Sequence, residues 1–195
     1  MIYVRGADSA IAKALGTLEE VVPVPRDTMP PERVKYLFCV GLIRQRLAAY
    51  QSRAEMADTF TVNAINVIKD CDWLIEHNPE ARICVVGSES GFKGSFDMAY
   101  AAAKAGLHKY VETKRLKYPG QQLVCVAPTC VLDTNMNRQR NADGVAALDA
   151  RRLKHPKQRW LQPIEVARMI HFLLSDGNDY TTNCVIRMNG GEHCH

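Results

Sequence analysis

The sequence of 195 residues has no long apolar run and no C-x-x-C motif, and these absences narrow the class of protein. No apolar stretch approaches the roughly 18 residues that span a bilayer, so we expect no transmembrane helix. The opening residues MIYVRGADSA lack the apolar core of a secretory signal, so we expect none. Seven cysteines, an odd number, predict reduced thiols in a cytoplasmic protein rather than a disulfide framework.

Low-complexity segments and internal repeats are also absent, and the composition is that of a globular protein, 47% apolar and 24% charged. The length predicts a single domain over residues 1–195. Much of the net charge of +4 lies in residues 135–160, where seven basic residues accompany two acidic ones. This pattern is typical of a solvated loop and helix face, or of a segment that attracts an anionic substrate, cofactor or partner. With Trp160 as its one aromatic residue, the stretch does not favour nucleic-acid binding.

Short apolar runs alternate with amphipathic stretches, which predicts a βαβ-type fold around a parallel sheet. The predicted strands are residues 1–5, 20–24, 36–40, 81–86, 122–127 and 184–188. The predicted helices are residues 9–18, 52–77, 98–118 and 164–174. Residues 135–160 are the segment with the least regular pattern.

A turn beginning at Gly6 joins the first predicted strand to the first predicted helix. A glycine turn at this place can direct helix N–H groups and the positive end of the helix dipole at a phosphate. Alanines stand where two further glycines are expected, so an ordinary strand-to-helix turn remains an alternative. The candidate phosphate-binding residues are Gly6, Asp8, Ser9, Ala10 and Ile11.

Tyr100 and Lys104 are four residues apart on a predicted helix and therefore share a face. An ammonium group beside a phenol lowers the pKa of the phenol, which suits a tyrosine that exchanges protons near neutral pH. Ser88 directly follows a buried strand, where doubly wound sheets bind ligands. Singly, these features are equally compatible with a surface pair and a turn residue.

The order of the motifs along the chain is more specific than any one of them. The glycine turn is followed by Asn63 in a long helix, VVGS ending at Ser88, YAAAKAG from Tyr100, and APTCVLDTNM from Ala127. The chain closes with PIEVARMIHFLLSD and CVIRMNGG. Together these motifs resemble the short-chain dehydrogenase/reductase family. The resemblance implies an α/β fold with a Rossmann-like doubly wound parallel sheet and helices on both faces.

The resemblance also implies an activity, the NAD(P)-dependent interconversion of a small alcohol and a carbonyl compound by hydride transfer. Tyr100 would be the acid/base and Lys104 would lower its pKa and bind the nicotinamide ribose. Ser88 would polarise the substrate oxygen, and Asn63 would hold a water of the proton relay. The alternative is a non-catalytic relative that binds a nucleotide, another ligand or a protein partner.

Further cofactor contacts are implied at Gly41, which ends FCVG in place of the family's NNAG, and at Pro128, Val131 and Thr134 beside the nicotinamide amide. Arg26 follows the second strand, where an acidic residue would select NAD, so NADP is favoured and Arg5 adds positive charge nearby. Asp27 keeps NAD open. The resemblance also places the basic residues 135–160 in the substrate loop, which suggests an acidic or phosphorylated substrate.

The chain is shorter than the family pattern, and the shortening lies between Arg26 and the strand 36–40. We therefore expect one helix and one strand of the cofactor half to be absent. The helix around Asn63 and the alanine-rich helix after Tyr100 resemble the pair that forms the interface of family dimers, which predicts a homodimer or homotetramer. The closing residues Glu192, His193, Cys194 and His195 could bind a metal, but no partner motif accompanies them, so no metal site is expected.

Overall fold

The computed structural model describes residues 1–32, 34–44, 47–134 and 142–192. Within these residues, six strands form one sheet in the order β2-β1-β3-β4-β5-β6, and every neighbouring pair is parallel. The strands are β1 Ile2–Arg5, β2 Val21–Pro23, β3 Lys35–Phe38, β4 Arg82–Val86, β5 Gln122–Pro128 and β6 Cys184–Met188. Because β1 has β2 on one side and β3 on the other, the topological switch point lies between β1 and β3.

Helices cover both faces of the sheet. They are α1 Ala10–Leu15, α2 Arg53–Phe60, α3 Asn66–His77, α4 Ser90–Lys93, α5 Met98–Thr113, α6 Ala142–Lys154 and α7 Pro163–Leu173. One core cluster packs α1 and α7 against the sheet, and the other packs α3 and α5 against the opposite face. Strands β4 and β5 are buried along their whole length because they lie between these layers. This is the doubly wound fold that the sequence predicted.

The sheet ends at β2, as the short spacing after Arg26 predicted. The described part of residues 24–34 contains no helix and no strand. In its place, the buried Arg5 side chain donates hydrogen bonds to the carbonyl oxygens of Pro25 and Thr28. Its guanidinium also forms an ion pair with Asp70 of α3, with Nε and Oδ2 2.7 Å apart. Arg5 therefore fastens the shortened connection to the sheet.

Element boundaries differ from prediction where side chains compete with the helix. The helix predicted for residues 98–118 ends at Thr113, because the Gln121 side chain accepts from the N–H groups of Lys117 and Tyr118 and holds them outside the helix. The helix predicted for residues 52–77 is interrupted by a π-helical turn, Thr61–Ile65. The other predicted helices and strands are present within a few residues of their expected ends.

The basic residues 135–160 are more regular than predicted, since α6 occupies much of them. Residues 135–141 of this stretch lie outside the described residues. None of the described helices is long and apolar enough to cross a membrane.

Candidate active site

A cleft of about 380 Å³ opens at the carboxyl ends of the central strands, beside the switch point. It brings together residues that are distant in the sequence, from the glycine turn near the N-terminus to the segment after β5. Of the site residues expected from the sequence, Asn63 alone is not in its lining. The others are Gly6, Asp8, Ser9, Ala10, Ile11, Arg26, Gly41, Ser88, Tyr100, Lys104, Pro128, Val131 and Thr134.

The glycine turn is dictated by the close approach of β1 and β3. Gly6 has a φ of +88°, and a Cβ there would overlap the carbonyl oxygen of Cys39. Ser9 then caps α1, its Oγ accepting from the N–H of Ala12 at 3.2 Å, and its hydroxyl lies 3.2 Å from the sulfur of Cys39. The first N–H groups of a helix have no intrahelical acceptor. The donor set at this end of the cleft therefore fits the phosphates of a dinucleotide.

The positive charge expected from Arg5 at this end of the cleft is not available to a ligand. Arg5 is 5% exposed and is held by Asp70 and two carbonyl groups, so it is not free to bind a phosphate. Burial raises the pKa of Asp70, and the Arg5 guanidinium opposes that rise. Arg26, in contrast, is exposed and lines the cleft. The positive charge available to a ligand therefore comes from Arg26.

Tyr100 and Ser88 meet at the centre of the cleft. The Tyr100 phenol and the Ser88 side chain both line the cleft, and Ser88 is near enough to influence the ionisation of the phenol. Asp97 caps α5 with its Oδ1, which accepts from the N–H of Tyr100 at 3.2 Å and fixes the first turn of the helix. Burial raises the pKa of Tyr100, and the Ser88 side chain works in the opposite direction. The direction of this shift is the reverse of the lowering expected from the sequence.

Lys104 explains this difference. Its Nζ donates to the carbonyl oxygen of Val40 at 3.1 Å and to that of Val86 at 2.9 Å, and it lies 6.0 Å from the centroid of the Tyr100 ring. The ammonium group is therefore directed at the carbonyl of Val40, just after β3, and at that of Val86, the last residue of β4. Burial lowers the pKa of Lys104 to about 8.

Asn63 lies beneath the cleft, in the π-helical turn, and its side chain is fully buried. Its Nδ2 donates to the carbonyl oxygens of Leu42 and Thr59 at 2.7 and 2.8 Å, and its Oδ1 accepts from the N–H of Leu42 at 3.1 Å. The side-chain amide is thus occupied by backbone groups and fixes the segment that follows Gly41. The role of Asn63 in holding a relay water stays a prediction.

The other end of the cleft contains charged residues that no sequence motif marks. Glu89, buried directly after Ser88, forms an ion pair with Arg187 of β6. Arg151 of α6 forms an ion pair with Glu192. Lys93 of α4 lines the cleft near Glu89 and Glu192, and it forms no ion pair with either carboxylate among the described residues. Burial and the nearby Arg151 lower the pKa of Lys93.

Glu192 is the first of the four potential metal ligands in the closing segment, and its carboxylate accepts from Arg151 and from Thr129. The rest of that segment, residues 193–195, lies outside the described residues. Across the described ranges, no group of three or more His, Cys, Asp or Glu side chains is arranged to hold a metal ion.

Comparison with known proteins supports the resemblance seen in the motifs. A family model described as enoyl-(acyl carrier protein) reductase matches residues 36–193. The 3-oxoacyl-[acyl-carrier-protein] reductase FabG of Chlamydia trachomatis is 30% identical over 158 residues, 77% of this chain and 62% of that protein. The inactive 2-(S)-hydroxypropyl-CoM dehydrogenase 2 of Xanthobacter autotrophicus is 36% identical over 110 residues, 54% of this chain and 48% of that protein. The chain thus spans about half to three-fifths of the length of these relatives.

Solved structures share the fold at lower sequence identity. A short-chain dehydrogenase/reductase from Brucella melitensis superposes with a TM-score of 0.83 at 19% identity and covers 100% of this chain and 96% of its own. One from Francisella tularensis gives 0.82 at 21%, covering 98% and 97%. Since the family model covers most of the chain, and the fold agrees with it, the chain belongs to the short-chain dehydrogenase/reductase family of oxidoreductases.

Proposed function

We propose that this chain is an NAD(P)-dependent oxidoreductase that interconverts a small alcohol and a carbonyl compound. The observation that carries the proposal is the placement of the buried Tyr100 and Ser88 side chains beside each other, with Lys104 one helical turn away, in a cleft that also contains the glycine turn. Relatives named as reductases and dehydrogenases support the same reaction class.

In the direction of reduction, a nicotinamide bound in the cleft would supply the hydride. Tyr100 donates its phenol proton to the carbonyl oxygen, so that the substrate gains one hydride and one proton and becomes an alcohol. Burial keeps Tyr100 protonated at neutral pH, which suits this role as an acid. The Ser88 hydroxyl donates a hydrogen bond to the same oxygen. Solvent then restores the tyrosine proton.

Lys104 has enough N–H donors to bind both the backbone and the cofactor. An ammonium group carries three N–H donors, and the carbonyls of Val40 and Val86 take two of them. The third is available for a ribose hydroxyl of the cofactor. We assign the nicotinamide end to the part of the cleft lined by Pro128, Val131 and Thr134.

Arg26 supports NADP as the preferred cofactor, with NAD as the alternative. Its guanidinium is exposed at the cleft beside the end of β2, where it can form two hydrogen bonds with a 2′-phosphate. The strand that would lie outside β2 is absent from the described residues. The adenine would therefore be bound at an open edge of the sheet. Because few other contacts are available there, the charge of Arg26 would contribute much of the cofactor's binding energy.

An anionic carbonyl compound is the substrate class that the charges favour. At the substrate end, Glu89 is neutralised by Arg187 and Arg151 by Glu192, which leaves the charge of Lys93 uncompensated among the described residues. A carboxylate or phosphate on the substrate would supply the missing partner.

The test is turnover of NADPH with matched pairs of ketones that differ only in a carboxylate or its methyl ester. We expect activity with the acids, and we expect Lys93→Gln to raise their KM about tenfold while leaving the esters unaffected. Lys93→Arg, which keeps the charge, is the matched control. Cofactor binding without turnover of any carbonyl compound would favour the non-catalytic alternative, and equal effects of Lys93→Gln on acids and esters would contradict the anionic substrate.

We further propose a homodimer or homotetramer that uses one face of α5. Ala101 and Ala103, two of the alanines expected at the interface, are buried within the subunit. Met98, Ala102 and Gly106, each four residues apart, form an exposed face instead, and small residues permit close helix approach. Sedimentation of the wild type and of Ala102→Glu distinguishes an oligomer through this face from a monomer.

A cytoplasmic location is proposed from the cysteines. The six in the described residues are all free thiols, and three of them, Cys71, Cys84 and Cys125, are buried in the core. Free thiols are typical of proteins in a reducing compartment.

A further inference from the structure

We infer that His108 is a positioning residue for Ser88: its imidazole fixes the backbone of the turn that presents the serine hydroxyl to the substrate. The inference rests on the proposed function, because it assigns Ser88 a contact with the reacting oxygen. No motif of the sequence marks His108, and it does not line the cleft.

The contact is a single hydrogen bond to the backbone of Ser88. His108 lies on α5 one turn beyond Lys104 and is 4% exposed. Its Nε2 accepts from the Ser88 N–H at 3.2 Å. An imidazole nitrogen accepts only when it carries no proton, so His108 is neutral with its hydrogen on Nδ1. The turn after β4 is thereby tied to the helix that carries Tyr100.

Two glycines of the Ser88 turn make room for the imidazole. A Cβ on Gly87 would overlap Nε2 of His108, and a Cβ on Gly91 would overlap its Cε1. Neither glycine has a positive φ, so the backbone conformation does not demand glycine at either place. The Phe92 ring packs on the imidazole with centroids 4.6 Å apart. The turn is therefore shaped around this particular side chain.

Packing alone does not account for a histidine at this position. The Nδ1 atom is buried and has no hydrogen-bond partner among the described residues, and a buried polar group without a partner destabilises a fold. An apolar side chain of similar size would avoid this penalty but would offer the Ser88 N–H no acceptor. Burial, with Lys104 nearby, lowers the pKa of His108 to about 4, although Glu89 opposes the shift, so the acceptor persists at neutral pH.

The first arm of the test is the tautomer of His108 in the wild type, read from ¹⁵N-labelled histidine by NMR and assigned by its absence in His108→Gln. We expect the Nδ1–H form. The second arm compares His108→Gln with His108→Met, two unbranched side chains of similar size of which only glutamine offers an oxygen acceptor. We expect the methionine variant to lose about 10- to 100-fold in kcat with an unchanged KM for the cofactor, and the glutamine variant to stay within about threefold of the wild type.

The outcomes separate the two claims. An Nε2–H tautomer in an active wild type overturns the role of His108 alone, and so do equal kcat values in folded methionine and glutamine variants. A wild type that turns over no carbonyl compound refutes the proposed function and, with it, the catalytic consequence assigned to His108. Melting temperatures of both variants, followed by circular dichroism, identify any loss that comes from unfolding.

Discussion

At the residue scale, burial governs the two ionisable groups at the centre of the cleft. It raises the pKa of Tyr100 and lowers that of Lys104, because a charged group loses hydration in both cases. Tyr100 therefore enters the reaction as a neutral acid. Lys104 contributes chiefly through the groups to which it donates, the carbonyls of Val40 and Val86.

Tyr100→Phe tests the assignment of the acid. Removing the hydroxyl removes the proton donor but retains the aromatic ring, so we expect kcat to fall about 10²- to 10⁴-fold with little change in cofactor affinity. Steady-state kinetics and a cofactor titration of the variant measure these two quantities separately. A kcat within tenfold of the wild type would assign the proton donor elsewhere.

Lys104→Met tests the burial of the ammonium group through the pH dependence of stability. Since the pKa of Lys104 is about 8 in the fold and near 10.5 when unfolded, the unfolded wild type binds more protons between these values, and Lys104 makes wild-type stability rise with pH there. Methionine does not titrate, so it makes no such contribution to the pH dependence of stability. The stability of the wild type relative to the variant should therefore increase by about 2 kcal/mol between about pH 7.5 and about pH 9.5 in urea unfolding experiments. A difference that stays constant with pH would contradict the buried charge.

Nearly all of the site residues that the sequence predicted line the cleft, but the contacts of individual side chains were not predicted. Tyr100, Lys104 and Ser88 stand in motifs that place them at strand ends and on one helix face. The partners of Glu89, in contrast, are Arg187 of β6 and Asn189 just after it, about one hundred residues away, and no spacing rule links such positions. The carbonyl groups that accept hydrogen bonds from Lys104 could not be predicted either, because they belong to the backbone and leave no pattern in the side chains.

At the element scale, the π-helical turn is held by Asn63, which joins two helices and the segment after β3. Replacement by leucine leaves the N–H and carbonyl of Leu42 without their partners. We expect Asn63→Leu to reduce the free energy of unfolding by about 2–4 kcal/mol, measured by urea denaturation. Asn66→Leu, at an exposed position of the same helix, is the matched control and should change it by less than about 0.5 kcal/mol. Equal losses of unfolding free energy in the two variants would mean that the hydrogen bonds of Asn63 contribute nothing to stability.

Helix and strand identities followed from hydrophobic periodicity, whereas their ends did not. Short apolar runs in the sequence identified every strand of the described sheet, because the strands of a parallel sheet are covered on both faces and are therefore mostly apolar. The end of α5 depended on the Gln121 side chain, and the π-helical turn depended on the side chain of Asn63. Both are tertiary contacts that local propensity does not report.

At the scale of the whole molecule, the main departure from a full dinucleotide-binding sheet is that the described residues contain no helix and strand beyond β2. Their absence was predictable from spacing, because too few residues separate β2 from β3 for a helix and a strand. The compensation was not predictable: Arg5, expected to add charge for the cofactor, is used to hold the short connection. Cofactor affinity is thus the property that we expect this difference in the fold to affect most directly.

Calorimetric titration of the purified wild type with NADPH and with NADH tests that property, with Tyr100→Phe as a folded control. The account predicts binding in the micromolar range for both proteins, tighter with NADPH, and loss of this preference in Arg26→Ala. Absence of binding to the folded protein at millimolar NADPH and NADH would contradict the proposed oxidoreductase.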